Sequence, residues 1–202
     1  MKVICVGRNY TDHIEELANE RPEAPVLFMK PDTALLRERD FYIPEFSKEV
    51  HYEVEVLVKI GKVGKYIDAR FAHKYYDEVG LGLDFTARDL QGRLKEKGLP
   101  WEIAKAFDGS MVVGKWHPKE KFGDLNDIRF RLEKNGEAVQ QGHTALMLWK
   151  ADELIAYISQ FFTLKKGDII FTGTPAGVGP VKAGDHLEGF LEDEMSFALG
   201  IK

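Results

Sequence analysis

One cysteine in 202 residues excludes an internal disulfide and suits a reducing compartment. That residue, Cys5, lies in the apolar run Val3-Ile-Cys-Val6 and reads as a small buried hydrophobe rather than a nucleophile. Long hydrophobic runs are also missing. The Val3–Val6 run is too short for a signal-peptide core or a membrane span, so the expectation is a cytoplasmic protein with no membrane partner. Neither sign of charge dominates: 28 Lys and Arg against 33 Asp and Glu leave a net charge of -5. That balance gives no reason to expect nucleic-acid binding. An anionic small molecule would need local positive charge, from a metal or from chosen Lys and Arg side chains. No repeat, low-complexity tract or linker divides the chain. Its length and its 44% hydrophobic content fit a single domain over residues 1–202.

What is present centres on carboxylates. His51 to Ile60 reads as one strand, in which Glu53 and Glu55 share a face while Val54, Val56 and Val58 take the other. Two such carboxylates repel unless one takes up a proton or a cation sits between them. Asp84 ends a second, glycine-punctuated strand at 79–85, just before a helix-like run at 86–96 that Gly98 stops. Three carboxylates from two strands make an all-oxygen site suited to Mg²⁺, Mn²⁺ or Ca²⁺.

Other candidates have two readings each. On a short helix at 12–19, His13 and Glu16 are neighbours on one face; such a pair builds a general base, or is a surface pair at a helix start. Lys105 sits among Trp101, Ile103, Ala104 and Phe107, where it either snorkels or stands beside an anion. The segment 173–180 is glycine-rich but lacks the Gly-Lys-Ser/Thr ending of a phosphate loop. It can offer N–H groups and the Thr174 hydroxyl to a carboxylate, or serve only as a tight turn. Further strands are expected at 2–6, 26–31, 111–113, 128–133, 168–172, 184–192 and 195–199. Asn135-Gly136 signals a hairpin turn, and 59–65 reads as another. Residues 37–44 read as a polar turn and 69–77 as a short helix. Residues 140–144 lead into a helix at 150–161, with Leu154, Ile155, Ile158 and Phe161 on one face.

Several stretches, in collinear order, resemble one family. They are Gly7-Arg-Asn-Tyr-x-x-His-x-x-Glu16, Phe28-Met-Lys-Pro31, His51-Tyr-Glu-Val-Glu55, Gly82-Leu-Asp-Phe-Thr-Ala-Arg-Asp-Leu-Gln91, Pro100-Trp-Glu-Ile-Ala-Lys-Ala-Phe-Asp108 and Gly167-Asp-Ile-Ile-Phe-Thr-Gly-Thr-Pro-Ala-Gly-Val-Gly179. The family is that of the fumarylacetoacetate hydrolases, and within it the short acylpyruvase type. The resemblance implies a mixed, β-rich fold, a β-roll with a few short helices, usually a homodimer. It implies a divalent cation, typically Mg²⁺ or Mn²⁺, on Glu53, Glu55 and Asp84, with Lys105 beside a small 2-oxo acid substrate. His13 and Glu16 become a water-activating dyad on a lid that orders over the ligand, and Arg88, Gln91 and Thr174 orient the substrate.

The implied reaction is metal-dependent hydrolysis of an acylpyruvate to pyruvate and a carboxylic acid, through the pyruvate enolate. Oxaloacetate decarboxylation and isomerisation of 2-hydroxy-dienedioates pass through the same enolate and stand as alternatives. A structural cation site without catalysis is the non-enzymatic one. One stretch departs from the family pattern, which often has Asn or Ser and then Thr-Ser-Asp-Met after Gln141-Gly142; here His143-Thr-Ala-Leu-Met147 follows. His143 is not expected to ligate the metal. The chain shows no counterpart of the extra N-terminal domain of longer members, so fumarylacetoacetate itself is not the expected substrate.

Overall fold

The structure is a computed structural model and describes residues 1–16 and 20–202. Its frame is a central sheet in the order Val26–Lys30, Val3–Gly7, Ile169–Phe171, Val54–Ile60, Tyr76–Asp84, Met111–Val113, with His117–Pro118 also paired to Tyr76–Asp84. Among the described strands of that sheet, Val3–Gly7 and Ile169–Phe171 form the one parallel pair. A second sheet runs Glu137–His143, Arg129–Lys134, His186–Leu191, Glu194–Ile201, Asp40–Phe41. A small third sheet joins Gly179–Pro180, Val50–Tyr52 and Thr86–Ala87. The helices are short: Thr11–Glu16, Ala69–Ala72, Arg88–Glu96, Glu102–Lys105 and Ala151–Phe161. This is the β-rich roll that the sequence led us to expect. No helix among the described residues is long and apolar enough to cross a membrane.

The strand Val54–Ile60 shows why the roll closes. It is buried along both faces, so it carries a near-continuous apolar run rather than an alternating one. Val54 and Val56 pack with Leu81, Leu83 and the second sheet's Phe130, Leu132 and Leu187. Farther along, Val58 and Ile60 meet Leu154, Ile155 and Ile158 of the long helix. On the opposite face Leu57 packs with Val3, Cys5, Met111 and Phe171. Cys5 is fully buried, as its apolar setting implies.

Several boundaries differ from the sequence expectation, each for a physical reason. The strand expected over 51–60 is broken at Glu53. Val50–Tyr52 pairs with the small sheet, and the Val54 N–H donates to the Gln140 side chain (2.9 Å) where the chain changes sheets. The turn expected at 59–65 is the start of a longer connection, because Gly64 bridges to Leu164 instead of closing a hairpin. The helix expected over 69–77 ends at Ala72, since Tyr76 already pairs with Ile60. Thr86–Ala87 is strand before the next helix starts at Arg88. Residues 140–143 are strand paired to Arg129–Leu132, not a lead-in to the long helix. Asp40–Phe41, read as part of a turn, pairs with Gly200 and Ile201. Of the helix expected at 12–19, Thr11–Glu16 is helical and residues 17–19 lie outside the described residues. The Asn135-Gly136 turn has φ of 56° and 82°, the left-handed pair that a type I′ hairpin needs.

Asp168 fastens the parallel contact. Its buried carboxylate accepts from the N–H groups of Lys2 and Lys165 (2.8 Å each) and pairs with the Lys2 ammonium. Burial opposes its charge, but these donors outweigh burial and hold its carboxyl below the usual range. Asp168→Ala leaves two backbone donors without partners and should destabilise the protein by about 2–3 kcal/mol, read as a lower urea midpoint at unchanged slope. The depressed pKa makes this contribution complete above the unfolded value of ~3.9 and lost as pH falls through the folded one. The gap between parent and variant should therefore shrink below about pH 4.

Candidate metal and active site

Glu55 leaves the central sheet directly opposite Gly82 on the neighbouring strand. A Cβ at Gly82 would lie 2.3 Å from the Val112 carbonyl oxygen, so the close strand packing beside Glu55 requires glycine. Two residues on, Asp84 ends its strand, and its N–H donates to the Glu53 carbonyl (2.9 Å) across the sheet break. One ligand atom from each of Glu53, Glu55 and Asp84 lies within 4.8 Å of the others, and all three residues are buried. Carboxylates alone make up this donor set, and hard cations prefer such oxygen ligands.

Cations already surround the triad. Lys105 Nζ donates to Glu53 Oε2 and to Asp84 Oδ2, both at 2.7 Å. Burial disfavours the Lys105 charge, but Asp84 and Glu53 more than restore it and raise its pKa above the ordinary lysine value. Arg88 Nη2 donates to Glu53 Oε1 (2.5 Å), and its Nη1 donates to Gln91 Oε1 (2.7 Å). Against burial, Lys105, Arg88 and His13 hold the Glu53 carboxyl far below the usual range. Glu55 is pushed well above it by burial and by the Asp84 and Glu53 charges, although the Gly173 N–H donates to its Oε2 (2.7 Å). Glu55 is the carboxylate that most needs a cation to stay ionised, and that need is why the triad fits a divalent metal.

Sequence reading missed the buried Lys30. Its ammonium sits beneath the triad, 2.7 Å from Asp84 Oδ1 as an ion pair off the hydrogen-bonding line. It donates to Ser110 Oγ (3.0 Å) and to the Lys105 carbonyl, so it ties a triad carboxylate to the turn that carries Lys105. The available signal was a lysine closing the apolar strand Val26–Lys30 just before Pro31.

His13 lines the same cleft, and its Nδ1 lies 3.4 Å from Glu16 Oε2. Burial pushes the His13 imidazole below its ordinary value, against the pull of Glu53 and Glu16. Glu16 also accepts from the Gly177 N–H (3.0 Å). The glycine-rich segment does offer N–H groups to carboxylates, but to the protein's own: Gly173 to Glu55 and Gly177 to Glu16. Thr174 and Gln91 line the cleft as well. The Thr174 hydroxyl donates to the Val54 carbonyl and accepts from Gln140 Nε2, both at 2.9 Å, so Gln140 fixes both the sheet break and this loop. His143 lies elsewhere, 2.7 Å from Asp127, in keeping with its exclusion as a ligand. A broader hollow between Met1, Met29, Phe46, Ile103 and Phe107 is lined mainly by apolar side chains and contains none of the triad.

Comparison with known proteins points to one family. A family model described as fumarylacetoacetate (FAA) hydrolase C-terminal matches residues 2–197. An oxaloacetate tautomerase of Escherichia coli is 48% identical over 188 residues, covering 92% of this chain and 86% of its own. A mitochondrial oxaloacetate decarboxylase of Dictyostelium discoideum is 42% identical over 203 residues, covering 98% and 93%. Among solved structures, a fumarylpyruvate hydrolase from Pseudomonas aeruginosa in complex with Mn²⁺ and pyruvate superposes with a TM-score of 0.94 at 35% identity, covering 100% of this chain and 89% of that one.

Proposed function

Because the chain belongs to the fumarylacetoacetate hydrolase family, we propose that it is a divalent-metal-dependent enzyme that interconverts the keto and enol forms of oxaloacetate. The observation that carries this reading is one cleft holding a buried carboxylate triad, the Lys105 ammonium and a neutral imidazole. Glu53, Glu55 and Asp84 would hold the cation, Mn²⁺ or Mg²⁺, with Ca²⁺ also compatible with the donor set. When bound, that ion supplies Lewis acidity to the 2-oxo group of the substrate. Lys105, kept charged by its carboxylate neighbours, offers a second positive group to the oxygen on which negative charge develops. His13 takes a proton from C3; the C–H pair becomes the C2–C3 double bond, and the carbonyl π pair moves to the oxygen. The same imidazole then gives the proton to that oxygen, with Glu16 fixing its orientation. Arg88 and Gln91, linked at 2.7 Å, flank the substrate, with Thr174 on the facing loop.

Hydrolysis of acylpyruvates is retained as a second reading, favoured by the His13–Glu16 pair, which can equally deprotonate a water that attacks an acyl carbonyl. Structural cation binding without catalysis explains neither that pair nor Lys105. A homodimer and a cytoplasmic location belong to the same proposal. Light scattering of the purified protein checks the first, and the mass of a single chain would refute it.

Metal removal tests the reading directly. After EDTA treatment, decay of the enol absorbance of oxaloacetate should slow by about 10²-fold or more, and Mn²⁺ or Mg²⁺ should restore it. A rate unchanged by chelation sinks the proposal. Release of acetate from acetylpyruvate, with no effect on the oxaloacetate enol, moves the assignment to hydrolysis.

A further inference from the structure

The cleft has an outer tier of positive charge that the metal end does not use. Four cations line it, Arg8, Arg88, Lys95 and Lys105, against the three carboxylates of the triad. Arg88 and Lys105 are committed to those carboxylates. A divalent cation in the triad would leave an excess of positive charge that a single carboxylate does not match.

Arg8 is held where its backbone is unfavourable. Its φ is 59°, a left-handed conformation that a side chain with a Cβ resists. Asn9 imposes it. The fully buried Asn9 amide accepts from the Trp149 N–H (2.9 Å) and donates to the carbonyls of Trp149 (3.0 Å) and Thr172 (2.7 Å). A glycine at position 8 would make the same turn without strain. The arginine instead brings a guanidinium to the cleft, and no carboxylate among the described residues pairs with it. Backbone strain of this kind gathers where ligands are gripped.

Lys95 approaches from the other wall. Arg88, Gln91 and Lys95 fall at helical spacing on Arg88–Glu96, and all three line the cleft. Lys95 Nζ lies 5.9 Å from the Trp101 ring centre. Trp101 stands 6.1 Å from Phe28, which carries Lys105 Nζ at 5.2 Å on its own ring. The two rings thus form a wall with Lys105 at the metal end and Lys95 at the outer end. Burial, with Arg8 and Arg88 close by, pushes Lys95 below the ordinary lysine value, a crowding that an anion would relieve.

We propose that Arg8 and Lys95 grip the distal carboxylate of the substrate and are the residues that set a preference for a 2-oxo dicarboxylate over a monocarboxylate of the same length. This rests on the 2-oxo acid reading above and extends it to the outer end of the cleft. The test uses two unreactive probes that chelate alike and differ only at the far end, 2-oxoglutarate and 2-oxopentanoate. Calorimetry on the Mn²⁺-loaded parent should show 2-oxoglutarate binding at least ~10-fold more tightly. In Arg8→Gly and Lys95→Met that preference should fall to within ~2-fold, with 2-oxopentanoate affinity changed by less than ~3-fold. Arg8→Gly relieves the left-handed strain, so its melting temperature should match or exceed the parent's and a folding defect does not cloud the result. Equal binding of both probes by the parent, or a preference that survives in either variant, overturns the distal grip while leaving the 2-oxo acid reading intact. Failure of both probes to bind overturns the 2-oxo acid reading, and the grip with it.

Discussion

Lys105→Met should lose about 10²–10³-fold in kcat while still taking up Mn²⁺. Methionine keeps an unbranched side chain of nearly the same length, so the substitution removes the charge, and with it the ammonium over the Phe28 ring, with little change of shape. Without metal, the variant leaves Glu53 and Asp84 facing each other with one counter-ion fewer, although Arg88 and Lys30 remain. Breaking a buried pair from one side costs about 3–5 kcal/mol, so metal-free unfolding should move to markedly lower urea. Mn²⁺ supplies the missing charge and should bring the midpoint back, but not the turnover. That split between stability and rate distinguishes a group acting on the substrate from one that only balances the triad. A variant whose kcat stays within ~3-fold of the parent removes Lys105 from the chemistry.

His13→Ala is the second large effect. With no imidazole to carry the C3 proton, tautomerisation should slow by about 10²–10⁴-fold, with Mn²⁺ affinity unchanged. The parent's pH profile provides an independent check. Burial lowers the His13 pKa, so the acid limb of kcat/KM should titrate below the ordinary histidine value of ~6.5. The neutral base is present above that limb and protonated below it. Because Glu16 raises the imidazole pKa, Glu16→Gln should move the limb to still lower pH at a smaller cost in rate. Loss of CO₂ from oxaloacetate needs no proton taken from C3. Decarboxylation that persists in His13→Ala while tautomerisation collapses would make decarboxylation the principal activity. Tautomerisation at the parental rate would instead remove His13 as the base.

These residues differ in how plainly the sequence shows them. Glu53 and Glu55 announce themselves by a two-residue spacing, and Asp84 by its place at a strand end. The break at Glu53 does not, because apolar alternation runs straight through it and only the distant Gln140 reveals the change of sheet. Lys30 is similarly hidden: a lysine at the end of a strand carries no mark of the carboxylate it will meet 54 positions on, until Asp84 is seen 2.7 Å away. The strands themselves were legible from β-branched runs and Asn135-Gly136. Their ends were set by partners far along the chain, as where Tyr76 cut short the helix expected over 69–77. Arg8 and Lys95 read as ordinary surface cations until the fold brings them to one cleft.

The hold of Gly177 on Glu16 and of Gly173 on Glu55 spans 161 and 118 residues of chain. On the ribosome, Glu16, the partner that orients the base, and one metal ligand are made long before the loop that steadies them. Closing such distant contacts is the slow part of folding. No N-terminal fragment ending before this loop carries a finished site, and an ion arriving early meets carboxylates not yet gathered. A chain cut before Gly173 would carry all three triad carboxylates but lack the N–H donors that steady Glu55 and Glu16.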